Sequence, residues 1–505
     1  VTTDHDEAPI VTDPLRYHPR RLPTPSKVEL AKRGAVVTAA FARRFAPLGL
    51  DQARHARDGF LPPEAIAKPL RLAFEDVGGT FIKFGQILAS SPGLFGEEIA
   101  DEFRSCLDTG PPVPFSEVRA RVEADLGVTL EEAFATFNPT PIGRASIAVV
   151  HRATLHDGRE VAVKVLRPGI DHLVATDLDL MEPLFELIVS QTGAQMAGAI
   201  FQQLDGFRLQ IGEEMDLRNE ARALAHFRAL TEASDLTLLS VPEPFPELSG
   251  QNVLTMEFLD GVPIDDFQAL ETLGIDPAPL IEQLIRGFFL MTVKYRMFHG
   301  DVHAGNLLLC TDGRIGVIDW GIVGRLDAET HWFLCRMLAA VVGDDEAWRD
   351  VTGHLIRTYG PAIGEAMGMD DEQLAVFMRA MIEPILLKPF GEVSFADMMN
   401  ATQVEVAKAH GVEFQKRTLG ATLKRIRLQR RIHKMATETG GLMSDFDRGY
   451  FLLGKQLMYF ERYGKLFLAD TPILSDPDFI TQILREAGDL TPPAAALEHR
   501  GPDSP

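Results

Sequence analysis

Two short polar motifs, joined by an apolar hairpin, limit most strongly what this chain can fold into. The first is His299-Gly300-Asp301-Val302-His303-Ala304-Gly305-Asn306 and the second is Gly316-Val317-Ile318-Asp319-Trp320-Gly321. Asp301 and Asn306 stand five apart, and Asp319 follows Asp301 by 18. Between them, Leu307–Leu309, a turn at Thr311-Asp312-Gly313 and Ile315–Ile318 predict a β-hairpin that returns Asp319 beside Asn306. Transfer of a phosphoryl group needs a carboxylate near the attacking oxygen and hard oxygen ligands that hold Mg²⁺ on the phosphates. Either motif alone could be a turn rich in Asp, Asn and Gly; the two together favour the chemistry.

Upstream, the text is rich in β-formers. Ser146–Thr154, a turn at His156-Asp157-Gly158 and Glu160–Val165 predict a second hairpin, stopped by Pro168-Gly169. Lys164 closes Val161-Ala162-Val163-Lys164 and lies among apolar residues, so it needs a carboxylate to hold it. Gly212 to Glu220 offers four acids. Glu213, Asp216 and Glu220 could share one helical face, with Glu214 off it, although most acid-rich faces are solvated. No Gly-x-Gly-x-x-Gly precedes Lys164. In its place stands Pro141-Ile142-Gly143-Arg144-Ala145-Ser146, a small-residue turn whose backbone N–H groups could cover phosphates; from the residues alone, a plain hairpin turn is the simpler reading. Lys83-Phe84-Gly85-Gln86 falls in a helical pattern. A helix-interior glycine costs about 1 kcal/mol relative to alanine, which points to a helix–helix crossing.

The rest of the chain is ordinary globular text. Of 505 residues, 46% are hydrophobic and 24% charged, enough for two to four structural units. A formal charge of −22 argues against nucleic acid as a partner. Cys106, Cys310 and Cys335 are far apart, so neither a disulfide framework nor a zinc site is expected, and a reducing cytoplasm fits. Residues 1–25 are polar and Pro-rich, without an apolar signal core. The best apolar run, Phe288–Val293, ends at Lys294 and Arg296, well short of a membrane helix. From Arg16 to Arg57 the balance is basic, on an amphipathic helical pattern from Ser26 to about Phe60. This arm either docks on anionic lipid or lies solvated or folded onto the protein's own acids. Helical patterns also occupy about 63–137, 170–232 and 279–468. Val253–Phe258 reads as a strand, and 492–505 as a frayed tail.

Val161-Ala162-Val163-Lys164 resembles the kinase strand lysine, and His299–Asn306 has the kinase catalytic-loop spacing. With Lys83-Phe84-Gly85-Gln86, Ala145-Ser146-Ile147-Ala148, Glu214-Met215-Asp216 and Asp319-Trp320-Gly321, these motifs occur in the order of the UbiB/AarF/ADCK family of atypical kinases. The resemblance covers about residues 65–470. It implies an α+β, protein-kinase-like two-lobed fold: a small antiparallel-sheet N-lobe (138–257, with a helical insert) and a helical C-lobe (258–470). A K-x-G-Q helical extension (61–137), a basic arm (1–60) and a tail (471–505) complete the chain.

The same resemblance implies ATP or ADP with Mg²⁺. Lys164 would grip the α/β-phosphates, paired with Glu220, and Asp301 would serve the acceptor. Asn306 and Asp319 would hold the metal. Gly143, Ala145, Ser146, Lys83, Gln86, Glu214, Asp216 and Glu257 would gather around the nucleotide, with Lys83 and Gln86 approaching Glu214 and Asp216. The resemblance further implies a role in quinone or isoprenoid-lipid metabolism, a lipid or quinone-precursor ligand and a place in the cytoplasm or on the inner face of a membrane. The metal motif here reads D-W-G, and the loop reads Gly143-Arg144-Ala145-Ser146 where the family is alanine-rich. The membrane-spanning C-terminus of some bacterial members is not expected. No A-P-E text follows Asp319, which disfavours a conventional protein kinase. H-G-D-V-H-A-G-N also resembles aminoglycoside and choline phosphotransferases, so a small-molecule kinase is one alternative and a nucleotide-gated scaffold with little turnover another.

Overall fold

The computed structural model describes residues 20–55, 63–89, 97–103, 110–192, 197–367, 370–386, 445–471 and 476–488. The readings made above for residues 1–19, for the arm beyond 55 and for 492–505 lie outside them. The chain opens with helices α1 (Lys27–His55), α2 (Pro63–Val77), α3 (Thr80–Ala89), α4 (Glu97–Phe103), α5 (Phe115–Leu126) and α6 (Leu130–Ala133). Strands β1 (Thr136–Phe137), β2 (Gly143–Arg144), β3 (Ala148–Thr154) and β4 (Glu160–Leu166) follow. Then come α7 (Ile170–Thr192), α8 (Ala197–Glu214), α9 (Leu217–Ala233), β5 (Leu239–Ser240), β6 (Val253–Glu257) and β7 (Gly261–Pro263). After α10 (Phe267–Leu273) and α11 (Ala278–Tyr295) run the short strands β8 (Met297–His299), β9 (Leu307–Cys310), β10 (Ile315–Val317) and β11 (Val323–Arg325). The last helices are α12 (Ala328–Val341), α13 (Asp345–Met367), α14 (Asp371–Leu386), α15 (Asp445–Phe467) and α16 (Pro477–Arg485).

The chain is an α+β protein that divides into two compact units. One unit comprises Val1–Ala229, Val241–Leu259 and Asp319–Ile322; the other comprises Leu230–Ser240, Asp260–Ile318 and Val323–Pro505. In the first unit an antiparallel sheet runs β1-β3-β4-β6, with β2 also on β3. Strand side chains alternate between faces. Val161, Val163 and Val165 of β4 therefore join Val149 of β3 in one core with Val118 and Val122 of α5 and Phe134. Lys164 falls on the opposite face. The helices of this unit pack through phenylalanines: Phe74 meets Phe81 and Phe103 edge-on, and Phe84 of the K-x-G-Q stretch meets Phe207 of α8 with ring centres 5.2 Å apart.

In the second unit a four-stranded sheet runs β5-β10-β9-β7. The hairpin predicted downstream of Asn306 is formed by β9 and β10, which pair Ile315 with Leu309 and Val317 with Leu307. Its turn contains Gly313 at φ 83°, a left-handed conformation that suits glycine. Strand β11 pairs with β8, and α15 packs so closely on it that a Cβ at Gly449 would stand 2.8 Å from the Arg325 carbonyl oxygen. Within the stretch read as a tail, α16 buries Ile480 and Ile483 and is tied to α11 by Arg286–Asp476, at 2.8 Å. Among the described residues, no helix is long and apolar enough to cross a membrane.

Candidate active site

Lys164 is the centre of the first unit's polar cluster. Its Nζ lies 3.0 and 2.9 Å from the two carboxylate oxygens of Glu220 and 3.1 Å from Oδ1 of Asp319. The period-two alternation of β4 turns Lys164 away from the valine core, and Glu220 projects from the first turn of α9. Trp320 is fixed by α9 as well: its ring stacks 4.3 Å from that of Phe227, two helical turns beyond Glu220 and so on the same face. That contact gives the tryptophan of D-W-G a packing role. Asp319 itself has φ 58°, a left-handed backbone that few non-glycine residues adopt and that Asp and Asn tolerate best.

One ammonium here faces two carboxylates. Burial alone would lower the Lys164 pKa, but Asp319 and Glu220 outweigh it and raise it above the ordinary lysine value. Burial pushes Glu220 up to about 7 despite the favourable lysine. Lys164 thus stays charged, and the cluster carries an excess of negative charge that a cation would offset.

The acids before α9 divide their partners. Lys83 forms an ion pair of 2.5 Å with Glu214, whose other oxygen accepts from Gln210 at 3.0 Å. Asp216 is turned elsewhere: its carboxylate takes Arg218 at 2.5 and 2.8 Å and Gln251 at 3.5 Å. Gln86 is half-buried on α3, one turn beyond Lys83. This E-x-D turn is held by a residue that sequence reasoning did not single out as a contact. Arg20 donates from its backbone N–H to the Gly212 carbonyl (2.8 Å) and from its guanidinium to Met215 O (3.3 Å), Asn252 (2.7 Å) and Asp171 (3.2 Å).

Gly143 and Arg144 form β2, paired with β3, while the Ala145 N–H is spent on the Ala148 carbonyl (2.9 Å), as in a plain hairpin turn. Arg167 fastens this loop from behind, donating to Ala145 O (2.9 Å) and Pro111 O (2.6 Å). Ser146 is buried. At the end of β6 the Glu257 carboxylate is taken by Arg228 and by the Glu243 N–H.

The second unit holds the catalytic-loop motif. His299 Nδ1 accepts from the Asp301 N–H (3.0 Å), so its ring proton sits on Nε2, which donates to Ile318 O (3.3 Å). The Ile318 N–H donates in turn to the Asn306 carbonyl, at 2.9 Å. The Asn306 side-chain amide donates to the Asp301 carbonyl (3.0 Å), an orientation that fixes the opposite, oxygen end of the amide. Helix α15 grips the same loop through residues that no motif marks. Lys455 lies 2.8 Å from Asp301 Oδ1, Gln456 accepts from the Val302 N–H (3.0 Å) and donates to Gly300 O (2.6 Å), and Tyr463 donates to Val302 O (2.7 Å). Burial would raise the Asp301 carboxyl, but Lys455 and His303 hold it below the ordinary value.

The donor set suits magnesium. Among the described residues, no group of three or more His, Cys, Asp or Glu side chains is placed to hold a metal unaided. Mg²⁺ needs no such cage: it binds through one or two protein oxygens, waters and substrate phosphates. The half-exposed Asp319 carboxylate of the first unit is a donor of that kind, and so, taken by itself, is the Asn306 amide oxygen of the second.

A sheet-borne lysine paired with a helix carboxylate, together with a D-x-x-x-x-N loop, defines an atypical kinase-like protein. Residues 105–349 match the family model of the ABC1 atypical kinase-like domain. A chloroplastic aarF domain-containing protein kinase of Arabidopsis thaliana is 33% identical over 83% of this chain and 76% of that protein. An uncharacterized protein of Mycobacterium tuberculosis H37Rv is 31% identical over 93% of this chain and 91% of that protein. A "Probable protein kinase UbiB" of Cellvibrio japonicus is 34% identical over 65% and 59% respectively. The chain belongs to the UbiB/AarF/ADCK family of atypical kinase-like proteins.

Proposed function

We propose that this protein binds Mg²⁺–ATP and moves its γ-phosphoryl group to water or to a small hydroxyl-bearing acceptor, in support of quinone or isoprenoid-lipid metabolism. The observation that carries this reading is Lys164 held between Glu220 and Asp319. Lys164 grips the α- and β-phosphates, and Glu220 fixes its direction. Asn306 and Asp319 are the metal ligands, and the bound Mg²⁺ supplies charge neutralisation on the phosphate oxygens. Asp301 orients the acceptor. As the acceptor oxygen bonds to the γ-phosphorus, the bond to the β–γ bridging oxygen breaks and ADP leaves with that electron pair. The acceptor's proton passes to Asp301. Positioning and fixed charge do most of the work.

The quinone or lipid assignment rests on the family resemblance. The formed Lys83–Glu214 pair favours the UbiB-type reading over an aminoglycoside-type kinase, because Lys83 belongs to the K-x-G-Q stretch. The basic arm is better read as folded onto the protein's own acids than as a lipid dock. Arg20, Arg33, Arg43 and Arg44 pair with Asp171, Asp177 and Asp76.

Thermal-shift titration with Mg²⁺–ATP tests the nucleotide reading. Wild type should be stabilised in a concentration-dependent manner, and Asp319→Asn, which tolerates the left-handed backbone, should lose that response while melting normally without ligand. An unchanged response in Asp319→Asn would refute the metal assignment.

A further inference from the structure

Asp301 is the acceptor-side carboxylate of the function proposed above, and no side chain of its own motif stands within hydrogen-bond reach of that carboxylate. The neighbouring His303 Nε2 stands 3.9 Å from Oδ2, beyond hydrogen-bond reach. The cation in direct contact comes from α15: Lys455 Nζ, 2.8 Å from Oδ1, with only 12% of its side chain exposed. We propose that Lys455 is a positioning residue for Asp301, fixing the direction of its carboxylate toward the acceptor.

Three features of α15 support this assignment. Its side chains share out the loop: Gln456 and Tyr463 hold the backbone of Gly300 and Val302, whereas Lys455 alone among them touches the Asp301 side chain. Lys455, Tyr459 and Tyr463 recur at four-residue spacing, one face of the helix, and the ammonium lies 5.9 Å from the centre of the Tyr459 ring. The helix itself is pinned by the buried Gln456 and by the close approach of Gly449 to β11. A rigid helix therefore delivers the cation. The chemistry also needs one: a carboxylate that must face an anionic phosphate chain is repelled by it, and a fixed ammonium on the carboxylate offsets that repulsion without reorganisation. A misplacement of about 1 Å in such a group can cost about 10²-fold in rate.

This inference rests on the phosphotransfer reading, so its test reads binding and chemistry separately. Mg²⁺–ATP binding and single-turnover hydrolysis of γ-labelled ATP by excess enzyme are measured for wild type, Lys455→Met and Lys455→Arg. A positioning role predicts that Lys455→Met loses about ten-fold or more in the chemical step, with nucleotide affinity held within about two-fold, and that Lys455→Arg regains most of the rate. The arginine variant keeps the charge and guards against loss of the fold. A Lys455→Met chemical step within about two-fold of wild type would overturn the proposal. So would two variants that lose rate and affinity together, in step with their melting temperatures, which is the behaviour of a scaffold contact. A wild type that binds no Mg²⁺–ATP would bring down the functional reading and this inference with it.

Discussion

Both oxygens of Glu220 lie within 3.0 Å of the Lys164 ammonium, although the two residues are 56 positions apart. The pair is buried, so its members depend on each other. Removing one partner of a buried ion pair costs about 3–5 kcal/mol, because the other is left without compensation. Lys164→Met should therefore lose less stability than that range, since burial already raises the Glu220 carboxyl, which can take up a proton once the ammonium is gone. Urea unfolding at pH 7 compares Lys164→Met with Lys164→Met/Glu220→Gln; equal midpoints are expected. Both variants should fail to bind Mg²⁺–ATP.

Lys83 and Glu214 make another, partly buried pair. Their side chains are 16% and 8% exposed, and Gln210 donates to the second Glu214 oxygen. Lys83→Met should destabilise the protein by about 3 kcal/mol, and adding Glu214→Gln should restore much of the loss. A double-mutant cycle in denaturant checks this, and additive effects would show that the pair is not coupled.

Arg20 should behave as a clasp on the E-x-D turn. Charged hydrogen bonds contribute about 1.5–3 kcal/mol each when buried, and Arg20 gives up three of them to Met215, Asn252 and Asp171. Arg20→Ala should cost about 2 kcal/mol or more. Arg20→Lys should recover only part of it, since an ammonium cannot reproduce the forked guanidinium. Urea midpoints report both.

The arm's lipid affinity is testable by substitution. Deleting residues 1–58 would also remove Val37 and Ala40, which are buried, and Arg33, whose partner Asp177 is fully buried. Charge neutralisation at the exposed Lys27 and Lys32 avoids that loss. In flotation with vesicles containing anionic lipid, the neutralised variant and wild type should be recovered equally. A clear drop in the variant would restore the lipid-dock reading.

His354 sets a pH limit on the second unit. Its ring is 2% exposed, packed against Phe333 and Trp332, and burial lowers its pKa from 6.5 to about 4. Between those values the unfolded chain binds the proton and the folded one does not, so stability falls as pH drops from 6.5 towards 4. The full loss is on the order of 3 kcal/mol. His354→Gln should flatten the dependence of the unfolding midpoint on pH across that window, whatever its effect at pH 7.5.

Much of this was legible in the sequence because it rests on short-range pattern. The alternation of Val161, Val163 and Val165 placed Lys164 off the core face. The run from Leu307 to Ile318 was readable as a hairpin because its turn carries Asp312-Gly313. Glu220 could be singled out only through the family resemblance, since Glu213, Asp216 and Glu220 were equivalent by spacing; the structure separates them by giving Asp216 to Arg218. Lys455, Arg167 and Arg20 had no signal of their own. None belongs to a motif, and the partners of each are fixed by tertiary packing. Lys455 is about 150 positions from Asp301, a distance at which periodicity says nothing. The left-handed backbone of Asp319 was equally invisible, because no short-range pattern marks it.

The Arg20 clasp has a consequence for biogenesis. Its partners Asp171 and Asn252 lie 151 and 232 residues further on. At a ribosomal pace of about 5–20 residues per second, the leading segment emerges on the order of ten seconds or more before Asn252 exists. Until then the clasp cannot be completed, so distant parts of the first unit must wait for one another. Closure of the clasp becomes a late, long-range event in a newly made chain, the interval in which a chaperone has most to protect.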